Sequence, residues 1–203
     1  ARAEAPVREL FTHYKMRLLL AIGALVISTA INYMVLYMPT YAIKQLGLPA
    51  STGFAATLAT GFVLTLVTPL VGHLSDRTGR IRVMTTAALL MLLTVWPTFA
   101  WLTRHASFAT MLAALIWIGA LKAMYCGALP ALMAELFPAQ TRATGLAVSY
   151  NTGVTLFGGF APFVITWLIS ATGNRLSPAL YLIGCAILSL VALFVARTRL
   201  RMQ

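Results

Sequence analysis

Six stretches of this chain are apolar for roughly 20 residues each, and no other feature constrains its fold as strongly. They run over about 18–39, 53–72, 83–102, 108–131, 144–169 and 178–196. A helix needs about 20 mostly apolar residues to cross a bilayer. Inside the hydrocarbon its backbone groups must pair with one another, because no water is there to do so. The pattern therefore implies an all-α integral membrane protein with six transmembrane helices. Charge content agrees: 9% of the 203 residues are charged, against about a quarter in a soluble domain. Helix-breaking residues fall between the runs: Pro39, Gly47 with Pro49, Gly72 with Gly79, Pro138, Gly173 and Pro178. The expected organisation is a polar linker or interfacial segment over 1–17, a bundle over 18–197 and a tail over 198–203. The first residue is Ala rather than Met and no signal peptide precedes the first span, so the chain is expected to be part of a longer gene product.

The basic residues sort by side. If the first residues face the cytoplasm, that side collects Arg2, Arg8, Lys15, Arg17, Arg77, Arg80, Arg82, Arg142, Arg197, Arg199 and Arg201. The opposite side collects Lys44, Arg104 and Arg175, and Lys122 falls within a span. This asymmetry is the positive-inside pattern, and it puts both ends of the chain at the cytoplasmic face. The formal net charge of +11 is then a topology signal. Basic residues cap apolar runs instead of covering one face of a soluble fold, so nucleic acid is not an expected partner. Cys126 and Cys185 lie inside apolar runs with neither disulfide nor metal spacing and are expected to pack. No span holds paired acids, a histidine cluster or a nucleophile beside a base, so no enzyme, metal site or cofactor is expected.

Two charged segments interrupt the apolar pattern. GHLSDRTGRIR, residues 72–82, places Asp76 beside Arg77, Arg80 and Arg82 between the second and third spans. ELFPAQTRATG, residues 135–145, places Glu135 and Arg142 between the fourth and fifth. The remaining acids, Glu4 and Glu9, lie in the leading segment. Carboxylates and guanidiniums form bidentate, charge-assisted pairs. Pairs that tie helix ends together in one conformation and release them in another make a bistable element. Ordinary topology-setting charges are the alternative on spacing alone.

The segment Gly72-x-x-x-Asp76-Arg77-x-Gly79-Arg80 resembles the signature loop of the major facilitator superfamily, in which it joins the second and third helices of each six-helix half. Ile81 departs from that pattern, where a second basic residue is usual, and Arg82 follows it. Glu135-Leu-Phe-Pro138-x-x-x-Arg142-x-x-Gly145 is similar to the superfamily's loop after the fourth helix of the second half. More narrowly, GALPALMAELFPAQTRATGLAVSYNTGVTLFGGFAPF, residues 127–163, resembles the metabolite:proton symporter branch. That branch carries organic acids such as citrate, 2-oxoglutarate and shikimate, or zwitterionic osmolytes such as proline and betaine. The resemblance implies helices seven to twelve of a twelve-helix transporter, a 3+3 inverted repeat, in the bacterial inner membrane. Its implied partners are a small organic acid or zwitterionic osmolyte, a coupling proton, the lipid bilayer and an N-terminal six-helix half. By the same resemblance Gly72, Asp76, Arg77, Gly79, Arg80, Glu135 and Arg142 form a conformational latch, with Asp76 pairing to Arg77, Arg80 and the Glu135/Arg142 loop.

Ionisable residues inside spans are costly and are functional candidates by default. Lys122 is the clear case, about 8 residues before Pro130 and so roughly 12 Å from the helix end. Snorkelling or structural pairing stands against a cavity-lining role. Tyr125 and Cys126 share its face. Gly119, Ala123 and Gly127 mark a different face, whose small residues permit close helix packing. The first span carries Ser28, Thr29, Asn32 and a stripe of Tyr33, Tyr37 and Tyr41, the last expected in the interfacial aromatic belt. Asn32 and Tyr33 lie deeper and would bond either a substrate or a neighbouring helix. In the superfamily the first and fourth helices of each half line the cavity. That resemblance makes Lys122, Asn32, Tyr33, Tyr37 and Tyr125 the binding candidates, with Asn151 of the fifth span a weaker one. Gly158, Gly159 and Pro162 would weaken or kink that fifth span, as a hinge or as a packing bend.

No acid lies within a predicted span, and His13, His73 and His105 fall at span ends or in loops. A titrating proton carrier is therefore expected in the N-terminal half, while Lys122 would draw a carboxylate-bearing substrate. A solute pore, or a non-transporting six-helix fragment or scaffold, is the alternative to a secondary active transporter.

Overall fold

Each apolar run forms a helix. The computed structural model describes residues 6–200, with side chains from Leu10 to Arg199. The helices are α1 (Pro6–His13), α2 (Lys15–Leu46), α3 (Ala50–Thr78), α4 (Arg80–Arg104), α5 (Phe108–Leu136), α6 (Arg142–Gly153), α7 (Ala161–Thr172) and α8 (Ser177–Leu200). A π-helical turn, Val154–Gly159, joins α6 to α7, so that Arg142–Thr172 makes one interrupted span. Among the described residues, six helical segments are then long and apolar enough to cross a membrane. No strand occurs among the described residues. Arg2, Glu4, Arg201 and the extreme ends of the leading and tail segments lie outside the described residues, as do the side chains of Arg8 and Glu9.

The helices outrun the apolar stretches. The first begins at Lys15 instead of 18 and continues to Leu46 instead of stopping near 39. Pro39 is thus no breaker. It sits inside α2, pressed against Gly53 of α3, where a Cβ on the glycine would lie 2.4 Å from Pro39 Cα. The missing N–H of Pro39 would leave the Val35 carbonyl unpaired, and Thr57 Oγ1 of α3 donates to that carbonyl at 3.2 Å. Gly72 likewise lies within α3. The expected loop over 72–82 therefore shrinks to Gly79 alone, between α3 and α4. Its φ of 97° is one that side-chain-bearing residues avoid, and a reversal between two long helices in one residue requires it. Pro178 stands in the first turn of α8, where its lost N–H is harmless.

The centre of the bundle is α2, buried along most of its length and touching α3, α5, α6, α7 and α8. Its approach to α8 is close at Gly23, where a Cβ would fall 2.5 Å from Ala192 Cβ. Ser189 of α8 donates to the Gly23 carbonyl at 2.8 Å and accepts from Ile27 N at 3.0 Å, so its hydroxyl sits inside the α2 backbone ladder. Tyr125 of α5 donates to the adjacent Ala24 carbonyl at 2.7 Å.

The tightest helix pair is α3 with α5, and the small-residue face of α5 makes it. A Cβ on Gly119 would meet Thr60 Cγ2 at 2.7 Å. One on Gly127 would meet Gly72 N at 2.8 Å and the Thr68 carbonyl at 2.9 Å. Thr60 also donates across the gap to the Leu115 carbonyl at 3.2 Å. Backbone cannot step aside as a side chain can, so Gly127→Ala forces the helices apart. It is expected to cost about 1 kcal/mol. Gly61→Ala, with nothing within 4 Å of the new methyl, should be neutral or slightly stabilising. Thermal unfolding in detergent compares the two; equal midpoints would remove the packing role of Gly127.

The fifth span is irregular for a local reason. Pro162 has no N–H to give, and the chain widens into the π turn just before it. Gly158 of that turn lies against α2, where a Cβ would be 2.6 Å from both Thr29 Cγ2 and Tyr33 Cε2. Outward faces remain apolar: Phe54, Leu58, Phe62, Leu66, Leu70 and Leu74 of α3 are all exposed, at four-residue spacing. Such a stripe suits lipid or another helical body, not water.

Candidate functional site

A cavity of about 330 Å³ opens between α2, α5 and the fifth span. From α2 it receives Ser28, Thr29, Asn32 and Tyr33; from α5, Lys122 and Cys126. Tyr150 and Val154 close it from the fifth span. The wall mixes hydroxyls, an amide, a thiol and one ammonium with leucine and proline, a composition suited to a small polar solute. Two helices must expose polar faces inward for this to happen. The Ser189 insertion holds α2 one turn before Ser28, and the Gly119 and Gly127 contacts seat α5 on α3, leaving the Lys122 face free.

Lys122 is 7% exposed and donates from Nζ to Asn32 Oδ1 at 2.5 Å. The lysine thus faces the cavity from within the bundle. The snorkelling alternative does not describe it; pairing and cavity lining coincide in the Lys122–Asn32 contact. Beside it Ser28 Oγ and Cys126 Sγ share a hydrogen bond at 3.1 Å. Cys126, expected only to pack, therefore lines the cavity, whereas Cys185 is buried in the core.

The other candidates are placed elsewhere. Tyr125 is 1% exposed, with its hydroxyl spent on the Ala24 carbonyl. Tyr37 is buried away from the cavity wall and accepts from Thr166 Oγ1 at 3.2 Å. Tyr41 is fully buried against Phe99 and donates to the Arg175 carbonyl at 2.6 Å, so it is a core residue and not part of an interfacial belt. Asn151 is exposed and its Nδ2 donates to the Ala147 carbonyl, one turn back. Tyr150, its neighbour, lines the cavity instead. The sequence carries no signal that sets Tyr150 above Asn151. One residue is 100° around a helix, and only the packing of the fifth span decides which of the two faces inward.

A second cluster occupies the bundle end that carries the start of α2, the end of α3 and the end of α5. Arg80 there is the hub: its guanidinium pairs with Asp76 at 3.0 Å and with Glu135. These are the ion pairs among the described residues. Asp76 thus meets Arg80, four residues on, while the expected Arg77 and Arg142 pairings are replaced. Arg77 is exposed, and Arg142 Nε reaches the Phe137 carbonyl at 3.4 Å. The rest of the second motif packs, since a Cβ on Gly145 would strike the Phe137 ring at 2.6 Å. Arg17 donates to the Leu136 carbonyl at 3.1 Å, capping the last turn of α5. The charges of the cluster oppose their own helix dipoles. Asp76 and Glu135 sit in C-terminal turns and Arg80 opens α4. Pairing across the helix ends relieves all three at once.

Residues 1–201 match the family described as Sugar (and other) transporter. Among curated proteins, the chain is 36% identical over 165 residues to a citrate-proton symporter of Klebsiella pneumoniae, covering 81% of this chain and 37% of the relative. It is 33% identical to a citrate-proton symporter of Salmonella typhi, covering 95% of this chain and 46% of the relative. It is 32% identical to an ectoine/proline transporter of Corynebacterium glutamicum, covering 89% and 36%. The chain therefore spans less than half the length of these relatives. No solved structure gives a significant match.

Proposed function

Since this chain belongs to the sugar (and other) transporter family of the major facilitator superfamily, we propose that it serves as one six-helix half of a secondary active transporter of the metabolite:proton symporter kind. On this reading the whole protein carries a small organic acid inward with protons by alternating access. The observation that carries the proposal is Lys122, buried on the wall of a polar cavity between α2 and α5. Among the described residues the lining holds no carboxylate to cancel its charge. The two acids whose side chains are described lie in the last turns of α3 and α5, at the Arg80 cluster. A single positive charge in a low-dielectric cavity selects an anionic group. The names of the relatives support citrate-like acids first and ectoine- or proline-like zwitterions second.

The apolar stripe on α3 supports the same assembly, since it offers a face for lipid or for another six-helix body. His13, His73 and His105 are exposed and off the cavity wall, so the proton carrier is assigned to the N-terminal half. Positive-inside asymmetry favours both termini at the cytoplasmic side of the bacterial inner membrane. The Arg80 cluster then closes that side.

The test is uptake by the complete gene product in proteoliposomes with an imposed proton gradient. Citrate, 2-oxoglutarate and betaine form the panel. Gradient-dependent citrate or 2-oxoglutarate uptake is expected, abolished by a protonophore. Downhill leak that ignores the gradient would assign the protein to the pore class instead.

A further inference from the structure

If Lys122 meets a substrate carboxylate, something must satisfy its ammonium while the cavity is empty, because an unpaired buried charge is costly. Among the described residues its one hydrogen bond runs to Asn32 Oδ1, at 2.5 Å. Lysine only donates, so the asparagine must turn its oxygen, not its nitrogen, toward Nζ. Asn32 is itself exposed, whereas Lys122 is buried, and both line the cavity. The amide oxygen thus sits where one oxygen of an incoming carboxylate would go.

Resting on the carboxylate reading of this cavity, we infer that Asn32 is a placeholder that sets its charge selectivity. The neutral amide holds Lys122 in the empty state without cancelling its charge. On substrate binding the amide rotates about χ2, a torsion with a broad, roughly two-fold profile. Lys122 then donates to one carboxylate oxygen and Asn32 Nδ2 to the other. An acid at position 32 would do the opposite. It would pair with Lys122 permanently, bring the lining to zero net charge and offer no donor to the substrate. Since Lys122 is, among the described residues, the only charged one on this wall, the choice of amide over carboxylate at position 32 decides between an anion site and a neutral one.

The measurement is equilibrium binding of citrate and of betaine to the complete transporter in detergent, for wild type, Asn32→Asp, Asn32→Ala and Lys122→Met. Asn32→Asp is expected to weaken citrate by about 30-fold or more and betaine by less than about threefold. Asn32→Ala removes competitor and donor together and should weaken citrate by about fivefold, well short of the acid. If Asn32 merely props Lys122 in place, the stronger partner in Asn32→Asp preserves citrate binding and Asn32→Ala is the worse variant. That order overturns the placeholder while leaving the carboxylate reading intact. Citrate binding that is insensitive to Lys122→Met, or undetectable in wild type, overturns the carboxylate reading and the placeholder with it.

Discussion

Lys122→Met in the complete transporter should raise the apparent KM for an organic acid by about 30-fold, with a much smaller change in the maximal rate. Methionine keeps an unbranched apolar stem one atom shorter than lysine, so the cavity wall is largely preserved while its charge is deleted. Two unit charges about 4 Å apart at an effective dielectric near 20 attract by about 4 kcal/mol. Desolvation of the substrate carboxylate and loss of the Asn32 contact oppose that attraction. A net loss of about 2 kcal/mol is the reasonable residue, or roughly 30-fold. Betaine carries a compensating ammonium and should respond less. A KM for citrate within twofold of wild type would assign the lysine to its pairing with Asn32 alone.

Lys122 stands out in the sequence by one physical rule, that an ionisable group in hydrocarbon must have a use or a partner; Asn32 and Tyr33 become binding candidates beside it through the resemblance, which gives the first and fourth helices of each half to the cavity wall. Helical periodicity took the reading further but not all the way. It placed Tyr125 on the face of Lys122 and Tyr37 one turn from Tyr33 without saying what each would meet. Tyr125 meets the Ala24 carbonyl and Tyr37 meets Thr166, so neither reaches the cavity. The six spans were legible because bilayer thickness fixes their length, yet their ends were not. Helices run on past the apolar stretch wherever backbone bonds continue, as α2 does from Pro39 to Leu46. Gly72 read as a breaker because glycine usually is one. Here the missing side chain lets α3 pass within contact of Gly127, a demand set by a partner 55 residues away in sequence. Ser189 in the α2 ladder was invisible for the same reason.

The second large effect belongs to Arg80. Arg80→Ala is expected to slow turnover by about tenfold while changing substrate affinity less than about threefold. Each of its pairs is partly exposed, with Asp76 at 60% and Glu135 at 47% side-chain exposure. Such pairs contribute under about 1 kcal/mol each to folding, so the variant should express and fold normally. A conformational equilibrium should be more sensitive, because Arg80, held by Asp76 within the α3–α4 corner, ties α5 to that corner through Glu135, and this tie would break if the ends separate during transport. Losing both shifts that equilibrium by about 1–2 kcal/mol, or roughly tenfold in the population of the closed end. The released carboxylates add to this, since each then faces the negative end of its own helix unrelieved. Asp76→Asn removes only the pair within the α3–α4 corner and should have a smaller effect than Glu135→Gln, which unties α5 from that corner. Counterflow rates with citrate on both sides of the membrane separate these variants from simple binding defects. A slowed net uptake with unaltered counterflow would move the Arg80 effect from the substrate-loaded reorientation to the return of the empty carrier, whereas full activity in both assays would reduce the cluster to topology-setting charge.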